Sequence, residues 1–285
     1  MEPTNPSEPT LPVTDASLQA YYALGKEADR LTDGLGRVEF LRTAELLDRV
    51  LPPPPAVVAD IGGGPGIYTD HLLALGHHVV HRDLVMSHVE HIRARHRPGT
   101  PTGDRLDAAV EDARRLDLDD ASVDAVLLLG PLYHLVDPDD RRRAITEAAR
   151  IVRPGGPIAA AAISRHSVLL DSVLLKRVDR VYPEVLGLLD GVRDTGVIPP
   201  LFEGSFNGYA HRPDEFRREL TDAGLQVDDV VSVEGVAVAL DDLDQRLDDP
   251  DERSRLLFVL RSMESAPDLL GLGPHLLALA RTPAA

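Results

Sequence analysis

The sequence predicts an α/β fold in which helices pack on both faces of a mostly parallel, doubly wound sheet. Apolar strand-like runs alternate with amphipathic helical stretches from about residue 56 to residue 163, which is the pattern of consecutive βαβ units. A glycine-rich loop joins the first of these strands to the first of these helices, and the alternation resumes after residue 211. These observations favour one α/β core interrupted by a less regular insertion.

Short apolar runs bounded by turn signals predict a sheet of seven strands. The predicted strands are Ala56–Asp60, Val79–Arg82, Ala108–Val110, Val123–Leu129, Pro157–Ile163, Gln226–Glu234 and His275–Arg281. Amphipathic stretches predict the helices. These are Ser17–Asp33, Phe40–Val50, Ile67–Leu75, Met86–His96, one from about residue 138, Val168–Val181, Pro213–Ala223 and Pro250–Ser265.

Composition shifts divide the chain into five predicted parts. In order, these are a disordered leader (1–14), an N-terminal helical lid (15–51), a ligand-binding core (52–163), an insertion (164–210) and the C-terminal part of the core (211–285). Pro52–Pro55 mark the start of the core, because proline lacks an amide donor and cannot continue a helix. The insertion is rich in glycine and proline but contains the helical stretch Val168–Val181, so it is predicted to be a mainly helical cap over the site.

The charge balance disfavours nucleic acid as a partner. The chain has 47 acidic and 30 basic residues, giving a formal net charge of −17, whereas nucleic-acid binding depends on lysine and arginine that neutralise phosphates. A local run of arginines, Arg141–Arg143, follows Asp137, Asp139 and Asp140 at a predicted helix start, which favours a solvated helix face. We therefore expect a small-molecule partner.

Other features of the composition predict a soluble, cytoplasmic protein. No apolar run approaches the roughly 20 residues needed to span a bilayer, and residues 1–12 lack the basic start and apolar stretch of a secretory signal. We therefore expect no membrane partner. The chain contains no cysteine, which excludes disulfides and thiolate ligands. No metal site is predicted, and a site made of histidines or carboxylates is the alternative left open. The sequence leaves a monomer and a homodimer both open.

A glycine-rich loop follows the first predicted strand and contains Asp60, Gly62, Gly64 and Gly66. Glycines allow sharp turns and close approach of a ligand, and the helix that follows presents free N–H groups at its positive end. A dinucleotide fingerprint would need a third small residue where Ile67 stands, so the spacing does not fit that class. A polar ligand is expected at this loop.

The D-x-G-x-G-x-G pattern of this loop resembles motif I of the class I S-adenosylmethionine-dependent methyltransferases, which have a Rossmann-like fold. The resemblance implies that the loop, through Gly62, Gly63, Gly64 and Gly66, holds the amino-acid end of S-adenosylmethionine. It also implies that Asp60 helps to hold the loop and the amino group of the cofactor.

Three further elements follow the family's order along the chain. Asp83 ends the second strand, where its carboxylate suits two vicinal ribose hydroxyls, and Leu84 follows it; a helix-capping aspartate is the alternative. Asp112 and Ala113 follow the third strand and resemble the adenine-binding element, with a surface turn as the alternative. The turn at Arg150–Gly156 matches the family's structural turn before the fifth strand.

The fourth strand leads to Gly130, Tyr133 and His134, at the edge where open α/β sheets bind ligands. Gly130 allows the cofactor to approach closely. A hydroxyl or ammonium acceptor must lose a proton before methylation, and histidine titrates in the useful range. His134, with Tyr133 beside it, is therefore the predicted catalytic and substrate-facing pair, with a packed or capping histidine as the alternative.

The lid and the cap supply the remaining candidates. Tyr22 is predicted to bind the cofactor, with core anchoring as the alternative. Arg42 and His211 are predicted to bind the substrate. The alternatives are a solvated helix face for Arg42 and a local capping role for His211. Other lid residues that could contact a ligand are Tyr21, Arg37 and Glu39. The cap's aromatic residues that could line an apolar pocket are Phe202, Phe206 and Tyr209.

The sequence thus predicts an enzyme that moves a methyl group from S-adenosylmethionine to an oxygen, nitrogen or carbon of a small molecule, leaving S-adenosylhomocysteine. One alternative keeps the cofactor but cyclises it or transfers its aminocarboxypropyl group. The others are an NAD-dependent oxidoreductase, which the Ile67 mismatch disfavours, and a non-catalytic binding protein.

Overall fold

The computed structural model describes Tyr22, residues 31–202 and residues 205–284. The predicted leader 1–14, Tyr21 and almost all of the predicted helix Ser17–Asp33 lie outside the described residues. The rest forms an α/β structure around one nine-stranded sheet, so the expected mixed architecture is confirmed.

Nine strands and nine α-helices make up the regular elements of the described residues. The strands are β1 Val57–Ile61, β2 His78–Asp83, β3 Leu106–Val110, β4 Ala125–Leu128, β5 Pro157–Ser164, β6 Val197–Ile198, β7 Gly208–His211, β8 Gln226–Ser232 and β9 His275–Arg281. The helices are α1 Gly34–Asp48, α2 Ile67–Leu75, α3 Met86–Arg95, α4 Pro138–Ile151, α5 Arg165–Leu169, α6 Val185–Thr195, α7 Pro213–Asp222, α8 Leu243–Asp248 and α9 Pro250–Met263. In the part of the chain that the structure describes, no helix has both the length and the apolar character needed to cross a membrane.

The main body of the sheet has the strand order β3-β2-β1-β4-β5 and is parallel throughout. β9 lies antiparallel to β5, and β8 lies antiparallel to β9. These are the seven predicted strands, and the end of each lies within two residues of its predicted position. The strand order reverses between β1 and β4, and ligands of open α/β sheets bind in the crevice at such a point.

The predicted number of seven strands was wrong, because the sheet has nine described strands. β7 pairs with the last two residues of β5, and β6 pairs antiparallel with β7. Both lie in the Gly/Pro-rich insertion and span only four and two residues. Strands this short are formed by their pairing, of β7 with β5 and of β6 with β7, rather than by a local apolar pattern.

Each face of the sheet is covered by helices. Alternate residues of β1 point to opposite faces: Ala59 packs with α4 and α7, whereas Val58 packs with α1 and α2. The runs of alanine in β5, buried on both faces, fit a central strand covered twice. This doubly wound packing holds the carboxyl ends of β1, β2 and β4 rigidly at one edge.

The insertion is largely helical, as expected, but its helices differ from the predicted one. The predicted helix Val168–Val181 is instead α5, which continues into a π-helix at Leu170–Leu175, and a short 3₁₀ turn at Val178–Arg180. α6 follows and had no specific prediction. Its buried residues Val185, Leu189 and Val192 recur at helical spacing, a signal that the nearby glycines obscured.

Candidate functional site

A cavity of about 640 Å³ opens at the carboxyl edge of the sheet. The loops that follow β1, β2, β3 and β4 form its walls. The sequence-predicted residues that line it are Tyr22, Asp60, Gly62, Gly63, Gly64, Asp83, Leu84, Asp112, Ala113, Gly130, Tyr133 and His134. The tertiary fold therefore brings together, in one cavity, residues that are separated by up to 112 positions in the sequence.

The glycine loop wraps tightly over the end of β1. The Gly62 amide donates to the Arg82 carbonyl at 2.6 Å, which ties the loop to β2. A Cβ atom at Gly63 would lie 2.6 Å from both Asp60 Oδ2 and His81 Nδ1, so only glycine fits there. Gly66 does not line the cavity; with φ of 88° it turns the chain into α2, whose positive end then faces the cavity region.

Asp60 is almost fully buried at the base of the loop. Its Oδ2 accepts a hydrogen bond of 2.7 Å from the Thr69 hydroxyl, which also lies 2.9 Å from His81 Nδ1. Oδ1 has no hydrogen-bond partner among the described residues, although Asp60 lines the cavity. Burial raises the pKa of Asp60, because the charged form loses hydration. A cationic ligand group would satisfy both the free oxygen and the buried charge.

Thr69 and His81 were not predicted from the sequence. His81 is fully buried on β2, but two other histidines, His77 and His78, stand just before it. No local pattern marks which of the three faces Asp60. Only the parallel pairing of β2 with β1 places His81 beside Asp60, because these two residues are register partners.

Asp83 lies at the end of β2 and organises the loop from the other side. Its Oδ2 accepts from the Gly64 amide and its Oδ1 from the Val85 amide, each at 2.8 Å. His88 Nδ1 lies 3.2 Å from Oδ1. Burial alone would raise the pKa of Asp83, but these hydrogen bonds and the His88 ring lower it. The helix-capping alternative is wrong, because Val85 is the N-cap of α3 and no side chain caps that helix. Asp83 instead closes a local turn with the Val85 amide, and its carboxylate borders the cavity.

Asp112 forms an ion pair in the wall of the cavity that follows β3. Arg114 Nε lies 2.9 Å from both Asp112 oxygens, and Arg114 Nη1 lies 2.8 Å from Asp140 at the start of α4. Burial opposes ionisation of Asp112, but the Arg114 guanidinium outweighs it and lowers the pKa. Arg114 also lines the cavity and was not predicted from the sequence. The adenine-binding role of Asp112 stays a prediction.

His134 lines the first cavity and is surrounded by aromatic rings. The Tyr22 hydroxyl is 2.6 Å from His134 Nε2, and the rings of Tyr133 and Phe206 lie 4.7 and 5.4 Å from the imidazole ring. Burial lowers the pKa of His134 to about 4, against the opposing charge of Asp83. His134 is therefore neutral at ordinary pH. Its Nδ1 has no hydrogen-bond partner among the described residues.

We expect His134 to make the protein less stable in mild acid. The pKa of His134 is about 4 in the folded chain and 6.5, the unperturbed value, in the unfolded chain. Between these two pH values the unfolded chain therefore binds a proton that the native chain does not. This difference should remove about 2 kcal/mol of unfolding free energy between pH 7 and pH 5. Urea unfolding of the wild type and of His134→Gln at both pH values checks this. The variant should lose about 2 kcal/mol less; equal losses would contradict the assignment.

A second cavity, of about 1440 Å³, adjoins the first. Tyr22, Tyr133, Ile198 and Pro199 line both cavities. The insertion supplies much of the wall of the second cavity, including the predicted aromatic residues Phe202 and Phe206. The insertion therefore forms part of the wall of a cavity next to the first one, and its role as a substrate cap stays a prediction.

Several predicted residues lie elsewhere. Arg42 is completely buried beside Glu45 and Glu264, and it ties α1 to the end of α9. His211 is buried on β7, with Nε2 2.6 Å from Glu219. Neither residue lines either cavity.

Two other candidate residues, Tyr209 of the cap and Arg37 of the lid, contact charged side chains outside the cavities. The Tyr209 ring lies under the Arg141 guanidinium at 3.8 Å and lines neither cavity. Arg37 forms ion pairs with Asp244 and Asp248. These side chains stabilise the packing of the cap and of α8 rather than forming the walls of the site.

Comparisons with known proteins agree with this geometry. A family described as "Methyltransferase domain" matches residues 58–156, which include β1 to β4 and the loops of the first cavity. An uncharacterised methyltransferase of Mycobacterium tuberculosis is 39% identical over 112 residues, which are 39% of this chain and 42% of that relative. The matched segment thus spans about two fifths of the length of that relative.

Two solved structures share the fold at low sequence identity. One is a Burkholderia thailandensis 1,6-didemethyltoxoflavin N1-methyltransferase with its acceptor and S-adenosylhomocysteine bound (TM-score 0.58, 18% identity, 98% of this chain, 93% of that chain). The other is a (4+2)-cyclase (TM-score 0.53, 16% identity, 86% of this chain, 82% of that chain).

The order of the strands, the glycine loop that follows buried Asp60 and the family match over residues 58–156 all lead to one assignment. Residues 58–156 match the family described as "Methyltransferase domain", and the chain shares its fold with solved structures of methyltransferases.

Proposed function

We propose that the protein transfers a methyl group from S-adenosylmethionine to an oxygen, nitrogen or carbon nucleophile of a small molecule. The observation that carries this proposal is the junction of the two cavities at Tyr22 and Tyr133. A cofactor in the first cavity and an acceptor in the second would meet there. Holding two reactants in line, away from water, supplies much of the rate of such a transfer.

The first cavity fits the cofactor on observations of its own residues. Asp60 offers a buried carboxylate oxygen with no described partner, which suits the cofactor's ammonium group. Gly64 leaves open space where a side chain would stand. Asp83 would hold the ribose hydroxyls and Asp112 and Ala113 the adenine. When bound, S-adenosylmethionine supplies an electrophilic methyl group on a sulfonium.

The residues of the junction would prepare the acceptor. His134, neutral and enclosed, would accept the acceptor's proton at Nδ1, and the Tyr22 oxygen would hold the imidazole by accepting a hydrogen bond from Nε2–H. Tyr133 would orient the acceptor on the second-cavity side. The aromatic rings around His134 would exclude water from the proton transfer.

The names of similar proteins support methyl transfer and also include a different chemistry. The Burkholderia structure contains a small acceptor and S-adenosylhomocysteine together, which is the pair of ligands that we propose here. The cyclase shows that a related fold is found with another chemistry. Fold alone therefore does not decide the reaction.

Product analysis tests the proposal directly. The protein is incubated with S-adenosylmethionine carrying a labelled methyl group and with a small-molecule extract, and the products are analysed by mass spectrometry. We expect a labelled methyl group on a small molecule, together with S-adenosylhomocysteine. Release of methylthioadenosine, or loss of the aminocarboxypropyl group without methylation, would instead support the rival chemistry. Binding of NADH without binding of S-adenosylmethionine would overturn both.

A further inference from the structure

Two fully buried polar side chains lie behind the wall of the first cavity and have no part in the proposed function. Thr69, in the first turn of α2, and His81, on β2, are each 0% exposed. Neither residue lines the first or the second cavity. Burying a hydroxyl or an imidazole costs free energy unless the group is hydrogen-bonded. The contacts of these two side chains therefore indicate what they stabilise.

Both side chains act on Asp60, which does line the first cavity. The Thr69 hydroxyl donates to Asp60 Oδ2 at 2.7 Å, and His81 Nδ1 lies 2.9 Å from the same hydroxyl oxygen. His81 Nδ1 is 3.9 Å from Asp60 Oδ2, which is too far for a direct hydrogen bond. The Thr69 hydroxyl therefore bridges the imidazole and the carboxylate.

The number of available protons sets the direction of this bridge. A hydroxyl has one proton and an ionised carboxylate can only accept, so the Thr69 proton goes to Asp60. The second hydrogen bond then needs a proton on His81 Nδ1. In the other neutral tautomer, Nδ1 would have no donor to accept from, and Nε2–H would be buried without a partner among the described residues.

The imidazole is neutral in these surroundings. Burial lowers the pKa of His81, and this effect outweighs the opposing charges of Asp60 and Asp83. A neutral ring carries a single N–H. Since the contacts need that N–H at Nδ1, the ring donates to Thr69 and leaves Nε2 without a proton.

The bridge leaves one oxygen of Asp60 for a ligand. The last torsion of an aspartate side chain is soft, so a carboxylate turns easily unless a contact holds it. The hydrogen bond from Thr69 holds Oδ2, and Gly63 packs against the same end, because a Cβ atom there would lie 2.6 Å from Oδ2 and from His81 Nδ1. Oδ1 has no hydrogen-bond partner among the described residues.

We propose that Thr69 and His81 are positioning residues for the ammonium group of the cofactor. His81 Nδ1–H donates to the Thr69 hydroxyl, which donates to Asp60 Oδ2 and so holds Oδ1 in place for the ammonium. This inference rests on the proposed function, in which Asp60 receives that group. Since neither Thr69 nor His81 lines the cavity, their effect is confined to ligands that carry the amino-acid end of the cofactor.

Two ligands that differ at this end test the proposal. S-adenosylhomocysteine carries the ammonium group, whereas methylthioadenosine has the same adenosine and thioether but no amino-acid end. Each is titrated calorimetrically. Thr69→Val, which removes the hydroxyl, should bind S-adenosylhomocysteine about tenfold more weakly, the effect of one hydrogen bond to a charged group, and methylthioadenosine like the wild type. An unchanged affinity for S-adenosylhomocysteine, or an equal loss for both ligands, would overturn the inference.

Conservative variants separate positioning from packing. Thr69→Ser keeps the hydroxyl and should retain the affinity for S-adenosylhomocysteine that Thr69→Val loses. His81→Asn keeps an N–H near the position of Nδ1 and should bind S-adenosylhomocysteine more tightly than His81→Leu, which has no donor. Thr146→Val is the matched control, because Thr146 is exposed on α4 and lines neither cavity. Equal affinities in His81→Asn and His81→Leu would contradict the role of the imidazole.

The tautomer of His81 is measured on the wild type, so this test does not depend on the folding of a variant. In protein labelled with ¹⁵N histidine, long-range ¹H–¹⁵N spectra distinguish a protonated ring nitrogen from a bare one. The ring is assigned through correlations to its own backbone amide. We expect the neutral Nδ1–H form in protein saturated with S-adenosylhomocysteine. The Nε2–H form would reverse the bridge and contradict the proposal.

The wild type separates this inference from the proposed function. If the wild type binds S-adenosylhomocysteine more tightly than methylthioadenosine, but the variants keep that difference, only the present inference fails. If the wild type does not bind S-adenosylhomocysteine, the proposed function fails and the inference fails with it.

Discussion

Asp60→Asn is expected to weaken binding of S-adenosylhomocysteine by at least about 100-fold, because removing one member of a buried charge pair costs about 3–5 kcal/mol. Asparagine keeps the size of aspartate, and its oxygen can still accept from Thr69. The change therefore removes the negative charge below the glycine loop and little else. The ammonium of the ligand would then be buried without its counter-charge.

Isothermal titration calorimetry of the wild type and the variant measures this effect. The control is Asp119→Asn, an exposed position outside both cavities, which should bind S-adenosylhomocysteine like the wild type. Thermal unfolding shows whether each variant is folded. Wild-type affinity in folded Asp60→Asn would mean that the cofactor's amino group is held by another residue.

His134→Gln is expected to lower kcat by about 10²–10⁴-fold, the usual contribution of a general base, with little change in affinity for S-adenosylhomocysteine. Glutamine fills similar space but cannot accept the acceptor's proton. Because the pKa of His134 is about 4, the wild-type kcat should show no inflection near pH 6.5 from this group. Its contribution should be lost only as the pH falls through about 4.

Rate measurements with any acceptor identified by product analysis check this prediction. His78→Gln is the matched control, because His78 is exposed at the start of β2, at the opposite edge of the sheet. Tyr22→Phe removes the hydroxyl that bonds His134 and should give a smaller loss of kcat than His134→Gln. An unchanged kcat in His134→Gln would show that alignment of the reactants alone drives the transfer.

Much of the core could be predicted from the sequence, because its strands and helices are set by local patterns. The seven predicted strands are present, and α2 begins and ends at the predicted residues, Ile67 and Leu75. The glycine loop was recognisable for the same reason, since positive φ at Gly62, Gly64 and Gly66 needs glycine in a fixed spacing. β6, β7 and α6 were not predicted, because their formation depends on contacts with β5 and with the rest of the insertion.

The sequence by itself determined the order of the core elements, the positions of Asp60 and Asp83 at the ends of β1 and β2, and the position of His134 after β4. The tertiary structure alone decided which distant groups meet them. It placed His81 beside Asp60 and Tyr22 on His134, and it joined Glu39 to Glu234 and His275 in the second cavity. The reason is physical: backbone periodicity is local, whereas strand register and helix packing bring together residues whose spacing in the sequence carries no signal.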